Sequence, residues 1–257
     1  MKYTQELCPI IKKEQLNQTT FSFTVASQSA VQSMKPGQFA NILVEGKTLR
    51  RPISICGFSR EAGTVRFVFE VRGEGTEIMS QMKEGQSMDL LAPLGNGFDI
   101  DTAEKAVFVG GGIGVPPLLG ASAPYAANAT VLLGFRNKDA VILADEFRTN
   151  GADLRIATDD GSMGHHGFVT QLLTQRLDEA PCDTIYACGP KPMLRLTAAE
   201  AEKRGIKCMV SLEERMGCGI GACLVCACKT RTSDSGEKYL HVCKNGPVFD
   251  SREVIWE

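Results

Sequence analysis

The apolar positions of this chain change their period twice. Over residues 1–101 they fall in short runs separated by turn residues. Thr20 to Val25 alternates, Phe39 to Val44 is an apolar run after Lys35–Pro36–Gly37, and Val65 to Val71 follows Gly63. Short, evenly spaced strands with Gly and Pro between them predict a small antiparallel barrel. Over residues 102–212 strand patterns alternate with helical ones. Ala106 to Val109, Val131 to Phe135, Asp153 to Thr158, Thr184 to Ala187 and Ile206 to Leu212 read as buried strands, and Pro192 to Arg204 as a helix that Gly205 stops. This alternation predicts a parallel sheet with helices on its faces. From Glu213 the pattern breaks into a Gly- and Cys-rich loop and a short tail. Residues 213–257 are too few to build a good core alone, a size at which a metal or a partner usually supplies stability.

Composition excludes more than it assigns. The chain has 257 residues, 43% hydrophobic and 23% charged, an ordinary globular balance. Its formal net charge is −2, and its Lys and Arg residues cluster no further than pairs such as Lys12–Lys13 and Arg50–Arg51. No nucleic-acid footprint is expected from that distribution. No apolar run reaches the ~18 residues of a membrane span. The first residues lead into no apolar signal segment, so a cytoplasmic location is expected. In that compartment the ten cysteines argue against a disulfide framework. Cys8, Cys56, Cys182 and Cys188 are scattered, as small buried hydrophobes are.

The remaining cysteines are clustered, and clustering points to metal. Cys218, Cys223 and Cys226 read C-x4-C-x2-C, and Cys243 follows after sixteen residues. That spacing matches the plant-type pattern holding a [2Fe–2S] cluster through four thiolates. Zinc is the rival, although a zinc ribbon offers two C-x2-C knuckles and only one is present. Cys228 is surplus: using it as the third ligand would give C-x4-C-x4-C. A [2Fe–2S] cluster moves one electron at a time, so the remaining question is what supplies or accepts the electrons.

Three further segments bear on that question. Arg51–Pro52–Ile53–Ser54 places an Arg for a pyrophosphate and a hydroxyl for a flavin ring edge. Alone it reads as readily as a solvated Arg pair on an ordinary strand. Gly73–Glu74–Gly75–Thr76 then leads into a short helix whose first N–H groups make an anion site. Gly110–Gly111–Gly112–Ile113–Gly114 has four glycines in five residues between a strand and a helix. It departs from G-x-G-x-x-G, because Val115 stands at the third Gly, yet it suits close backbone approach to a second nucleotide. Cys188–Gly189–Pro190 ends a strand at the same expected sheet edge. Asp159–Asp160 serves either to bind a ribose or to cap a turn. His165, His166 and His241 lack ligand spacing and read as surface residues.

R-P-I-S, G-x-G-T, G-G-G-I-G-x-P-P, C-G-P and E-E-R-M-G-C-G-I-G-A-C-x-x-C together resemble the electron-transfer subunit of bacterial class 1B dihydroorotate dehydrogenase, within the ferredoxin–NADP reductase superfamily. The resemblance runs the length of the chain. It implies an FAD-binding β-barrel over residues 1–101, an NAD-binding α/β domain over 102–212 and a [2Fe–2S] domain over 213–257. Carried over by position, Arg51, Pro52, Ile53, Ser54, Gly75 and Thr76 hold FAD, with Val68, Phe69 and Glu70 adding contacts. Gly110, Gly111, Gly112, Gly114, Cys188, Gly189 and Pro190 face NAD, and Cys218, Cys223, Cys226 and Cys243 ligate the cluster. No residue is expected to act as a general acid or base. The resemblance also implies an FMN-containing catalytic partner in an α2β2 assembly serving pyrimidine biosynthesis. The small subunit of an NADPH–ferredoxin oxidoreductase has a similar layout, and Arg136 and Lys138 keep NADP open.

Overall fold

The computed structural model describes residues 3–232, 234 and 236–256. Six antiparallel strands close a barrel: β1 (Thr4–Gln15), β2 (Thr20–Ala26), β3 (Phe39–Leu43), β4 (Arg51–Ser59), β5 (Thr64–Glu70) and, after helix α1 (Glu74–Gln81), β6 (Ser87–Leu94). Their order is β1-β2-β5-β4-β3-β6, with β6 returning to β1. Alternate side chains point inward, as the period of a strand requires. Phe23 and Val25, Ala40 and Ile42, Phe67 and Phe69, and Met88 and Leu90 form one buried cluster. β1 was not legible in the pattern because its outward positions include Leu7 and Ile11, 73% and 49% exposed, which erase the alternation.

The second unit runs β7 (Ala106–Gly111), α2 (Pro116–Ser122), β8 (Ala129–Phe135), α3 (Ala144–Thr149), β9 (Asp153–Thr158), β10 (His165–His166), α4 (Val169–Glu179), β11 (Thr184–Cys188), α5 (Lys191–Lys203) and β12 (Lys207–Ser211). Beyond it come a hairpin of β13 (Ala227–Arg231) and β14 (Glu237–His241), the helical turn α6 (Val242–Asn245) and β15 (Val248–Asp250). The large sheet has the order β10-β9-β8-β7-β11-β12-β15, parallel except for β15. Both faces of its centre are covered, so β7, β8 and β11 are nearly continuous buried runs. Val107, Leu132 and Ile185 pack under α4 and α5, while Phe108, Val131 and Tyr186 pack under α2 and α3.

Where a loop and tail were expected after Glu213, the chain builds a hairpin and then returns to the sheet edge. Cys226, Cys228, Val242, Cys243, Phe249 and Val254 share one cluster with Val109 and Val210 of the sheet and with Phe39 and Leu94 of the barrel. This segment borrows its core from both neighbours, which answers its small size.

Barrel and sheet are tied directly. A Cβ on Gly120 of α2 would lie 2.9 Å from the Cys56 carbonyl of β4, so the glycine permits that packing. Arg66 of β5 donates to Glu146 of α3 at 3.0 Å and to the Ser22 hydroxyl at 2.8 Å. The Tyr186 hydroxyl donates to the Asp99 carbonyl in the linker at 2.7 Å.

Candidate functional site

The two barrel motifs, far apart in the pattern, meet in space. Arg51 opens β4, and a Cβ on Gly75 would lie 2.1 Å from its Nε. Glycine therefore lets the guanidinium lie across the first turn of α1, which brings a cation beside N–H groups that an anion could pair with. Thr76 Oγ1 accepts from the Arg72 and Gly73 N–H groups at 3.0 and 3.3 Å, which locks the entry loop. Arg51 also donates to the Leu49 carbonyl. Pro52 and Ser54 lie opposite Asn41 and Phe39 of β3, and directly opposed residues share a face. Ile53 packs on the barrel interior. Of the β5 residues, Val68 is buried against the α2 layer, and Glu70 accepts from Arg72 at 2.6 Å. Phe69 stacks on Phe21 and meets Phe23 edge-on inside the barrel, so its side chain serves the core rather than a ligand contact.

In the sheet, the order β9-β8-β7-β11-β12 reverses between β7 and β11. Connections leave that point toward opposite faces and open a crevice at the carboxyl ends, the usual nucleotide position. Gly110 to Gly114 and Cys188 to Pro190 line its two sides, with Cys188 paired to Gly110. A Cβ on Gly114 would lie 2.6 Å from the Cys188 carbonyl, and one on Gly111 2.9 Å from Pro190 Cδ. Gly114 is thus packed against backbone and Gly111 against the Pro190 ring. Gly112, at φ +52, has nothing within 4 Å of the space a Cβ would fill, leaving its backbone open to a ligand. Burial pushes the Cys188 thiol up to about 12, against a hydrogen bond with Ser211 that lowers it. A thiol so protonated is no nucleophile at neutral pH. Asp160 accepts from the N–H and hydroxyl of Ser162 at 2.9 and 2.6 Å, which is turn capping.

The cysteine loop is organised around sulfur. Gly219 and Gly221 take φ values of +75° and +81°. These left-handed turns aim the N–H groups of Ile220, Ala222 and Cys223 at Cys218 Sγ, at 3.4, 3.2 and 3.4 Å. The Gly221 N–H points at Cys243 Sγ at 3.2 Å. Burial pushes the Cys218 thiol up, but the hydrogen bonds from Cys223, Ile220 and Ala222 outweigh it and bring it down to about 6. Burial and a hydrogen bond with Cys226 push Cys243 up to about 12. Cys218 and Cys223 sulfurs stand 3.4 Å apart, and Cys226 is hydrogen-bonded to Cys243. The donors therefore form two pairs. A [2Fe–2S] cluster takes four thiolates, two on each iron, and this set fits it. Cys228 sits in β13, 9% exposed within the shared core, and burial pushes its thiol up to about 11. One contact had no sequence signal: Asn41 Nδ2 of the barrel donates to the Cys218 carbonyl at 3.2 Å.

The profile of the iron–sulfur cluster binding domain of dihydroorotate dehydrogenase B matches residues 213–255. Over 260 residues the chain is 40% identical to the electron transfer subunit of dihydroorotate dehydrogenase B (NAD(+)) from Geobacillus thermodenitrificans, covering 98% of each chain. It is 43% identical over 223 residues to the protein of the same description from Caldanaerobacter subterraneus, covering 86% of this chain and 87% of that one. Among solved structures, a chain of an NADH-dependent reduced ferredoxin–NADP oxidoreductase, studied for flavin-based electron bifurcation, superposes with a TM-score of 0.85 at 30% identity. That match covers 98% of this chain and 90% of the other. The flavohaem-like FAD/NAD-binding domain of a Vibrio cholerae nitric oxide dioxygenase shares the fold at 20% identity and a TM-score of 0.65. The chain belongs to the family of electron transfer subunits of dihydroorotate dehydrogenase B.

Proposed function

We propose that the barrel holds FAD, that the β7/β11 crevice receives NAD, and that Cys218, Cys223, Cys226 and Cys243 ligate a [2Fe–2S] cluster. The observation that carries this reading is the meeting of R-P-I-S with G-x-G-T at Arg51 and Gly75, in a barrel whose neighbouring strand β3 reaches the cysteine loop through Asn41. When bound, the flavin supplies the exchange between hydride transfer at the nicotinamide and single-electron transfer at the cluster. Arg51 and the α1 N–H groups neutralise the FAD pyrophosphate. Pro52 and Ser54 present the edge of β4 to the isoalloxazine. Gly110 to Gly114 admit the dinucleotide backbone, and the Cys188–Gly189–Pro190 turn shapes the nicotinamide side without covalent chemistry. The N–H groups of Ile220, Ala222 and Cys223 stabilise thiolate charge, as charge-assisted hydrogen bonds do.

The chain's partner is proposed to be an FMN-containing catalytic subunit that oxidises dihydroorotate, in a cytoplasmic α2β2 assembly. Ile220, Leu224 and Val225 are 37%, 75% and 58% exposed beside the cysteines, an apolar rim suited to a protein partner. With the partner present, dihydroorotate should reduce NAD+. The purified chain alone should oxidise NADH with an artificial acceptor and leave dihydroorotate untouched; oxidation of dihydroorotate by the chain alone overturns the division of labour. Cys223→Ser should abolish transfer between the subunits while sparing NADH-dependent reduction of the acceptor. The likeness to the bifurcating oxidoreductase supports a second reading, in which the physiological partner of this chain is another flavoprotein. Co-purification of the partner and identification of its substrate decide between them.

A further inference from the structure

We infer that Asn41 is a positioning residue that couples the flavin-binding strand to the iron–sulfur loop and sets the electronic environment of Cys218. The inference rests on the proposed function and deepens it. Asn41 lies in the middle of β3, 1% exposed, between Ala40 and Ile42, which point into the barrel. Its own side chain points outward, on the face it shares with Pro52 across the ladder. There Nδ2 donates to the Cys218 carbonyl at 3.2 Å. A Cβ on Gly219 would stand 2.3 Å from the same Nδ2, so the glycine after the ligand is needed for this approach as well as for its turn. The Asn41 carbonyl in turn accepts from Arg50 at 3.2 Å, the residue next to Arg51. One amide therefore touches the backbone of the first cluster ligand from a strand whose neighbour carries R-P-I-S.

The cost of this arrangement argues that it has a purpose. Asn41 Oδ1 is buried and has no hydrogen-bond partner among the described residues. A buried polar atom left unpaired opposes folding, and an apolar side chain at this outward position would avoid it. The segment just after β6 holds the other end of the cysteine segment. The Asn96 side chain donates to the Asn245 carbonyl at 2.8 Å, two residues past Cys243. Asparagines on or just after the barrel strands thus contact the chain at Cys218 and just past Cys243. A fixed N–H dipole beside the Cys218 peptide stabilises added negative charge on the reduced cluster.

The test is a redox titration of the purified chain loaded with FAD and cluster, followed by electron paramagnetic resonance and flavin absorbance. Asn41→Leu should favour the flavin over the cluster by about tenfold in their one-electron equilibrium, a negative shift of the cluster midpoint by ~59 mV. FAD occupancy and the flavin potential should stay at wild-type values. Asn41→Ser, smaller and still a donor, should shift the midpoint in the same direction by less, and decides the matter if Asn41→Leu does not fold. A wild-type cluster potential and spectrum in a folded variant overturns the inference. So does parallel loss of FAD and cluster, which would make Asn41 structural only. Absence of any reduced [2Fe–2S] signal from the unmodified chain would instead defeat the functional reading beneath it.

Discussion

At the scale of single residues, the site depends on where a Cβ is forbidden. Gly75 and Gly114 are tied to their places by the Arg51 side chain and the Cys188 carbonyl. The sequence marked both as glycines within motifs, but a motif does not say what the missing side chain makes room for. Gly75→Val should displace Arg51 and weaken FAD retention at least tenfold, measured by flavin release on dilution, with far-ultraviolet circular dichroism unchanged. Gly114→Ala meets backbone, which cannot swing away, so nucleotide affinity and stability should fall together. The buried thiols lend themselves to a pH test. Burial is the main cause that pushes Cys56, Cys188 and Cys208 from an ordinary value near 9 up to about 12. Above pH 9 the unfolded chain releases these protons while the folded chain keeps them. Unfolding then binds fewer protons than the native state, so stability falls as pH rises from about 9 toward 12. Urea midpoints at pH 8 and pH 10 check the sign; equal midpoints would contradict it.

At the scale of elements, strands with two covered faces were legible and strands with one mixed face were not. β7, β8 and β11 are apolar throughout because helices cover both sides, and their runs stood out. β13 and β15 are short, and β13 begins among clustered cysteines that read as a metal loop rather than as a strand. β13 pairs with the adjacent β14 as a hairpin, and the partner of β15 lies far back in the sequence, on β12. The interdomain tie is of the same kind. Arg66 and Glu146 are eighty residues apart, and nothing local marks them as a pair. Burial pulls the Arg66 guanidinium down, but the hydrogen bond and charge of Glu146 raise it above its usual value. Glu146→Ala should lower thermal stability by about 1 kcal/mol, the scale of a partly exposed charge-assisted bond. It should also slow NADH-dependent flavin reduction, by loosening α3 from the barrel, while leaving FAD bound.

At the scale of the whole molecule, the C-terminal segment belongs to its neighbours. β15 pairs with β12, and Cys226, Cys243 and Phe249 share a core with Phe39 and Leu94. Deleting residues 213–257 should therefore expose this core and destabilise the nucleotide sheet, seen as a lower Tm and aggregation on heating. Cys223→Ser, which leaves the apolar packing intact, should cost much less. Local chemistry is carried by residue type and spacing, so the sequence alone determined the spacing of the cysteines, the glycine-rich turns and the alternation of strand and helix. Contacts between distant segments leave no local period. The tertiary structure alone decided that Arg51 lies over Gly75, that the thiols form two pairs, and that Asn41 reaches Cys218. Each depends on close approach between chain segments that only the closed barrel and the returning tail bring together.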